Sequence, residues 1–92
     1  GLPEGALGTH VGQLNFEVMR RHVHDIVTVT DDDIVQAMQF YAQRMKLVVE
    51  PTGVLPLAAL QQGKVDVRGK RVGLLISGGN VDLARFARLI AA

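Results

Sequence analysis

Along residues 30–45 the apolar side chains fall in a helical rhythm: Ile34, Val35, Met38, Tyr41, Ala42 and Met45 recur at three- and four-residue steps and line one stripe. Thr30 stands where an N-cap belongs. Asp33, three residues on, predicts a variant capping box, and Asp31, Asp32 and Asp33 face the positive end of the helix dipole. Arg44 and Lys46 lie at the opposite end, where cations are favoured. The pattern predicts other elements less sharply. Residues 14–23 read as a helix with Leu14, Val18, Met19 and His22 on one side. Residues 53–62 read as a mostly buried helix, with Pro56 tolerated in its first turn. Residues 82–91 form an amphipathic helix presenting Leu83, Phe86, Ala87 and Ile90. Between them, DIVTV (25–29), LVVE (47–50) and the run ending in VGLLI (71–76) are short, β-branched or continuously apolar, and predict strands.

Helix and strand therefore alternate, which predicts an α/β fold with right-handed crossovers and a parallel sheet. A strand such as VGLLI needs cover on both faces. Three short strands would leave a sheet edge bare, a hazard that further strands upstream would remove. At 92 residues, 48% hydrophobic and 21% charged, the chain is an ordered globular segment. A chain this short buries only about 60% of its unfolded surface, so a self-sufficient core is marginal. The net charge is +1 with its cations dispersed, which argues against nucleic acid. The absence of cysteine excludes a disulfide scaffold and fits a cytoplasmic protein. No apolar run approaches the roughly 20 residues of a membrane span.

Candidate chemistry gathers at strand ends, where open α/β sheets bind ligands. Ser77-Gly78-Gly79-Asn80 follows a buried strand and precedes a helix. Its glycines would let backbone approach a ligand, and the helix N-terminus would offer N–H groups to an anion. The plain alternative is a tight connection with Asn80 as N-cap. Glu50-Pro51-Thr52-Gly53 ends the preceding strand and would bring a carboxylate to the same surface, or else is a solvated glutamate before a proline turn. Fingerprints of nucleotide binding and of the nucleophile elbow are missing. His22 and His24 have no evident third ligand for a metal, and His10, beside the glycine-bearing stretch 1–9, is read as a surface residue.

The stretches RMKLVVEPTGVLPLAAL (44–60) and GKRVGLLISGGNVDLARF (69–86), preceded by DIVTVTDDDIVQAM (25–38) and GQLNFEVM (12–19), resemble the C-terminal part of fold type II pyridoxal-phosphate (PLP) enzymes. The group is that of serine and threonine dehydratases and serine racemase. The resemblance implies that residues 1–92 form the C-terminal part of a large, three-layer PLP-binding domain. It also implies that Ser77 faces the pyridine nitrogen of PLP, that Glu50 lies near the ring, and that Gly78 and Gly79 let the backbone pass close to it. Lys46 and Asn80 match positions lining a nucleotide-binding subunit interface in animal serine racemases. Proteins tune PLP through the group opposite its ring nitrogen. A neutral hydroxyl there implies β-elimination, turning L-threonine, L-serine or 3-hydroxyaspartate into a 2-oxo acid and ammonia. The Schiff-base lysine of the family sits in a Ser-x-Lys-type motif near the N-terminus, and Lys46, Lys64 and Lys70 have no such context. The phosphate-cradling loop and the carboxylates of a divalent-cation site would also lie upstream. By itself the chain is expected to be inactive, to need the N-terminal part of the enzyme as partner, and to work within a homo-oligomer. The alternatives are an amino-acid racemase on the same scaffold and a non-enzymatic α/β module binding an anion or a partner.

Overall fold

The computed structural model describes residues 12–91; the stretch 1–9 and His10 lie outside the described residues. In chain order the elements are α1 (Gln13–His22), α2 (Asp31–Arg44), a 3-10 turn (Pro51–Val54) running directly into α3 (Leu55–Gln61), and α4 (Leu83–Ile90).

The expected capping box opens α2. The Asp33 amide donates to the Thr30 hydroxyl at 3.1 Å, and the Thr30 amide donates to the Asp33 carboxylate at 2.9 Å. Two donors that helix geometry leaves unpaired are thereby satisfied reciprocally. At its far end the chain turns through Lys46, whose φ of 59° is in the left-handed region. The Leu47 amide then folds back onto the Tyr41 carbonyl at 2.9 Å. The end of α3 solves the same problem with glycine. Gly63, at φ 66°, donates to Leu60 O at 3.1 Å, and Lys64 donates to Ala59 O at 3.0 Å. That pair of bonds is a Schellman closure, which favours a residue without a Cβ. As the sequence predicts, Pro56 stands in the first turn of α3.

One face of α2 supplies the centre of the core. Ile34, Ala37, Met38 and Tyr41 pack with Val49 and Val54, with Leu57 and Ala58 of α3, and with Phe86 of α4. Burying side chains of this size contributes on the order of 1.5–3 kcal/mol each. A hydrogen bond from the Gln39 amide nitrogen to Ile90 O, at 2.9 Å, ties α4 across α2. The buried face of α4 is centred on Phe86, with Leu89 and Ile90 half-buried; Leu83 and Ala87, expected on that face, are exposed.

Two expectations need correction. The apolar side of α1 meets no other element: none of its residues is buried, and Leu14 is 80% exposed. The segments 25–29, 47–50 and 71–76 are not strands among the described residues. A strand exists through a partner that exchanges backbone hydrogen bonds with it, and a parallel one needs cover on both faces. Here the Glu50 N–H, at the end of 47–50, donates at 3.2 Å to Gly78 O, just beyond 71–76. Ile26 and Leu75 remain 75% and 80% exposed. The parallel sheet predicted for the α/β fold is thus not assembled among the described residues. None of their helices is long and apolar enough to cross a membrane.

Candidate functional site

Strand-end logic puts Glu50 and Ser77 on one surface, and the structure brings their two turns together without a sheet. The Val49 side chain is anchored in the core, and Pro51 and Gly53 are buried, so the turn carrying Glu50 is held from below. Its own closure is the Gly53 amide donating to Glu50 O at 2.9 Å. The Glu50 amide donates in turn to Gly78 O at 3.2 Å, joining the two tetrapeptides backbone to backbone.

Three glycines make this approach sterically feasible. A Cβ added to Gly78 would stand 2.7 Å from a Glu50 carboxylate oxygen. One added to Gly53 would stand 2.7 Å from Val49 Cγ1 and 2.8 Å from Gly78 O. One added to Gly79 would run into the Val48 carbonyl oxygen. None of the three has a positive φ, so space and not backbone conformation calls for glycine. The Glu50 carboxylate consequently lies directly against the residue that follows Ser77. Ser77 is exposed, Glu50 is half-buried, and neither side chain has a hydrogen-bond partner among the described residues. The two turns thus carry a hydroxyl and a carboxylate without a hydrogen-bond partner among the described residues, a donor and an acceptor available to a polar ligand.

Two sequence expectations at this site change. The helix after SGGN is capped by Asp82 and not by Asn80: the Asp82 carboxylate accepts the Arg85 amide at 3.0 Å, and α4 begins at Leu83. A carboxylate already occupies the helix end proposed to hold an anion, and Asn80 and Val81 separate it from Gly79. Lys46 and Asn80, matched to an interface, are both exposed, and no hydrogen bond or ion pair among the described residues links them. Lys46 instead donates through Nζ to Gln43 O at 2.7 Å, in the last turn of the helix it follows. Sequence reasoning missed Gly53 as part of the site, although the glycine stands in the quoted tetrapeptide. Among the described residues no three His, Cys, Asp or Glu side chains group as a metal site, and His22 and His24 are exposed.

The chain matches the family model described as "Pyridoxal-phosphate dependent enzyme" over residues 2–78. It is 48% identical over 89 residues to an L-threo-3-hydroxyaspartate ammonia-lyase from Pseudomonas sp, covering 97% of this chain and 28% of that protein. It is 43% identical over 90 residues to a serine racemase of Schizosaccharomyces pombe, covering 98% of this chain and 28% of the racemase. It is 36% identical over 89 residues to an L-threonine ammonia-lyase of Thermotoga maritima, covering 97% and 22% respectively. The chain thus spans less than a third of the length of these relatives. With its glutamate turn and its Ser-Gly-Gly turn interlocked at one edge, the chain belongs to the pyridoxal-phosphate dependent enzyme family.

Proposed function

We propose that this chain supplies one wall of the cofactor site in a PLP-dependent ammonia-lyase that converts hydroxy-amino acids into 2-oxo acids and ammonia. The observation that carries the reading is the interlock itself, in which the Glu50 amide bonds to Gly78 O and the Glu50 carboxylate lies against Gly78, the residue after Ser77. When bound, PLP supplies an electron sink for the bond broken at the substrate Cα. Ser77 would hold the ring nitrogen by donating its hydroxyl hydrogen. A neutral donor leaves that nitrogen uncharged, which moderates the sink and favours prompt loss of a β-hydroxyl. Glu50 would lie beside the ring, its carboxylate backed by Gly78. The residue that attaches the cofactor, the phosphate-binding loop and the remaining strands of the parallel sheet belong, in this reading, to the segment that completes the enzyme. The exposed apolar side chains along 25–29 and 71–76 support that division, since a completed sheet would cover them. A homo-oligomer of the completed enzyme is part of the same proposal.

The test is assembly. The chain is mixed, or genetically joined, with the complementary segment of the Pseudomonas lyase, loaded with PLP, and offered L-threonine, L-serine and L-threo-3-hydroxyaspartate. The expected result is a visible cofactor absorbance band and release of 2-oxo acid and ammonia. Conversion of L-serine to D-serine without release of ammonia would give the protein the racemase activity named for the Schizosaccharomyces relative. An assembled complex that binds no PLP would refute the cofactor-site reading.

A further inference from the structure

We infer that Gly53 is a positioning residue: its lack of a Cβ lets the glutamate turn seat against the Gly78 carbonyl and so sets where Ser77 stands relative to Glu50. The inference rests on the cofactor-site reading of Ser77 and Glu50, but its geometry is independent of any cofactor. The oxygen a Gly53 methyl would strike, 2.8 Å away, is Gly78 O, the acceptor of the Glu50 amide. That bond is 3.2 Å long, the upper end of the normal N–H···O range, so a displacement of a few tenths of an ångström weakens it. The Gly78 nitrogen, 3.4 Å from the same point, is at ordinary contact distance, so the carbonyl oxygen is the Gly78 atom that the methyl would press. The other neighbour is Val49 Cγ1 at 2.7 Å, on a side chain that is 2% exposed in the core. A β-branched side chain has little rotamer freedom with which to yield. Gly78 is therefore the part that moves, away from Glu50, and it carries Ser77 with it. Gly53 touches neither substrate nor cofactor in this account; it acts through the turn that bears Ser77.

The test uses Gly53→Ala, Val49→Ala and the double variant, in the chain and in the PLP-loaded assembly. Removing the Val49 methyls relieves one contact and leaves the one with Gly78 O, so the double variant separates positioning from packing. In amide hydrogen exchange, Gly53→Ala is expected to speed exchange at Glu50 by about tenfold relative to the Met38 amide in the core, a local opening of the interlock. Val49→Ala should leave the Glu50-to-Met38 ratio at the wild-type value, and the double variant should lose it again. In the assembly, Gly53→Ala should lower kcat by about 10- to 100-fold with little change in KM, as a misplaced group does. It should also shift the pH dependence of the PLP absorbance in the direction that Ser77→Ala does. Equal acceleration at Glu50 and Met38, or a double variant indistinguishable from Val49→Ala, would make Gly53 a packing residue and overturn the inference. Failure of the wild-type assembly to bind PLP sinks the cofactor reading while leaving the exchange result to stand or fall separately.

Discussion

The helical half of this chain and its extended half contain similar apolar residues in opposite surroundings. On the inner faces of α2 and α3 and at Phe86 of α4 apolar side chains are buried on one another, and Met38 is fully enclosed. Along the segments 25–29 and 71–76 most of them face outward, Ile26 and Leu75 at 75% and 80% exposed, while Val29 and Leu74 are partly buried against the core. The difference follows from where each kind of backbone finds its hydrogen bonds. A helix pairs its own N–H and C=O groups and needs a neighbour for one stripe alone. An extended segment needs a neighbour for its backbone and, in a parallel sheet, cover for both faces. The inner faces of α2, α3 and α4 thus close on one another, while α1 and the two extended segments leave apolar side chains exposed, which in the proposed function a larger enzyme would cover.

Truncating one residue in each region should separate the two most strongly. Met38→Ala should cost about 2–5 kcal/mol through lost burial and the cavity left behind, read from the urea midpoint of the chain. Leu75→Ala in the same chain should stay within about 0.5 kcal/mol, as an exposed substitution does. Equal costs would erase the distinction between the halves. In the assembled enzyme Leu75→Ala should become a core truncation costing about 2–5 kcal/mol, and an unchanged small effect there would deny that the segment is covered.

Smaller changes sharpen the account of the helical half. Thr30→Ala removes one arm of the capping box and should lower stability by about 1 kcal/mol, with Asp33→Ala costing a similar amount. Lys46→Gly should act in the other direction. It relieves a left-handed residue with a Cβ while freeing the unfolded chain, for a net gain of about 0.5 kcal/mol in thermal unfolding. The smallest effect belongs to the exposed connection after α3. Hydrogen bonds from the Arg68 side chain and amide hold the Asp66 carboxyl below the usual carboxylate range. The folded value is depressed, so the contribution is present above the unfolded carboxylate value and is lost as pH falls through the folded one. An NMR titration should show the Asp66 midpoint rising in Arg68→Ala, and an unchanged midpoint would remove the side chain as a cause.

Legibility in the sequence followed the range of the forces involved. The capping box of α2, its apolar stripe, the buried α3 with Pro56 in its first turn, and the two polar tetrapeptides at the site were all readable, because each depends on residues a few positions apart. The cap of α4 was misread because Asn80 and Asp82 are both competent caps, and the choice depends on where the chain leaves the Gly78–Gly79 turn. The predicted strands are not formed among the described residues for a different reason. β-branched runs mark a surface that fits a sheet, and a sheet forms where a partner is present.

By itself, the sequence determined the helices, the residues with chemistry and the resemblance to PLP enzymes, since periodicity, capping and motif spacing are local. Tertiary structure decided that Gly53 sits against Gly78, that the Glu50 carboxylate backs onto the residue after Ser77, and that the strand-like segments form no sheet among the described residues. Contacts between residues about 25 positions apart depend on how the intervening helix packs, and that packing is a property of the whole core.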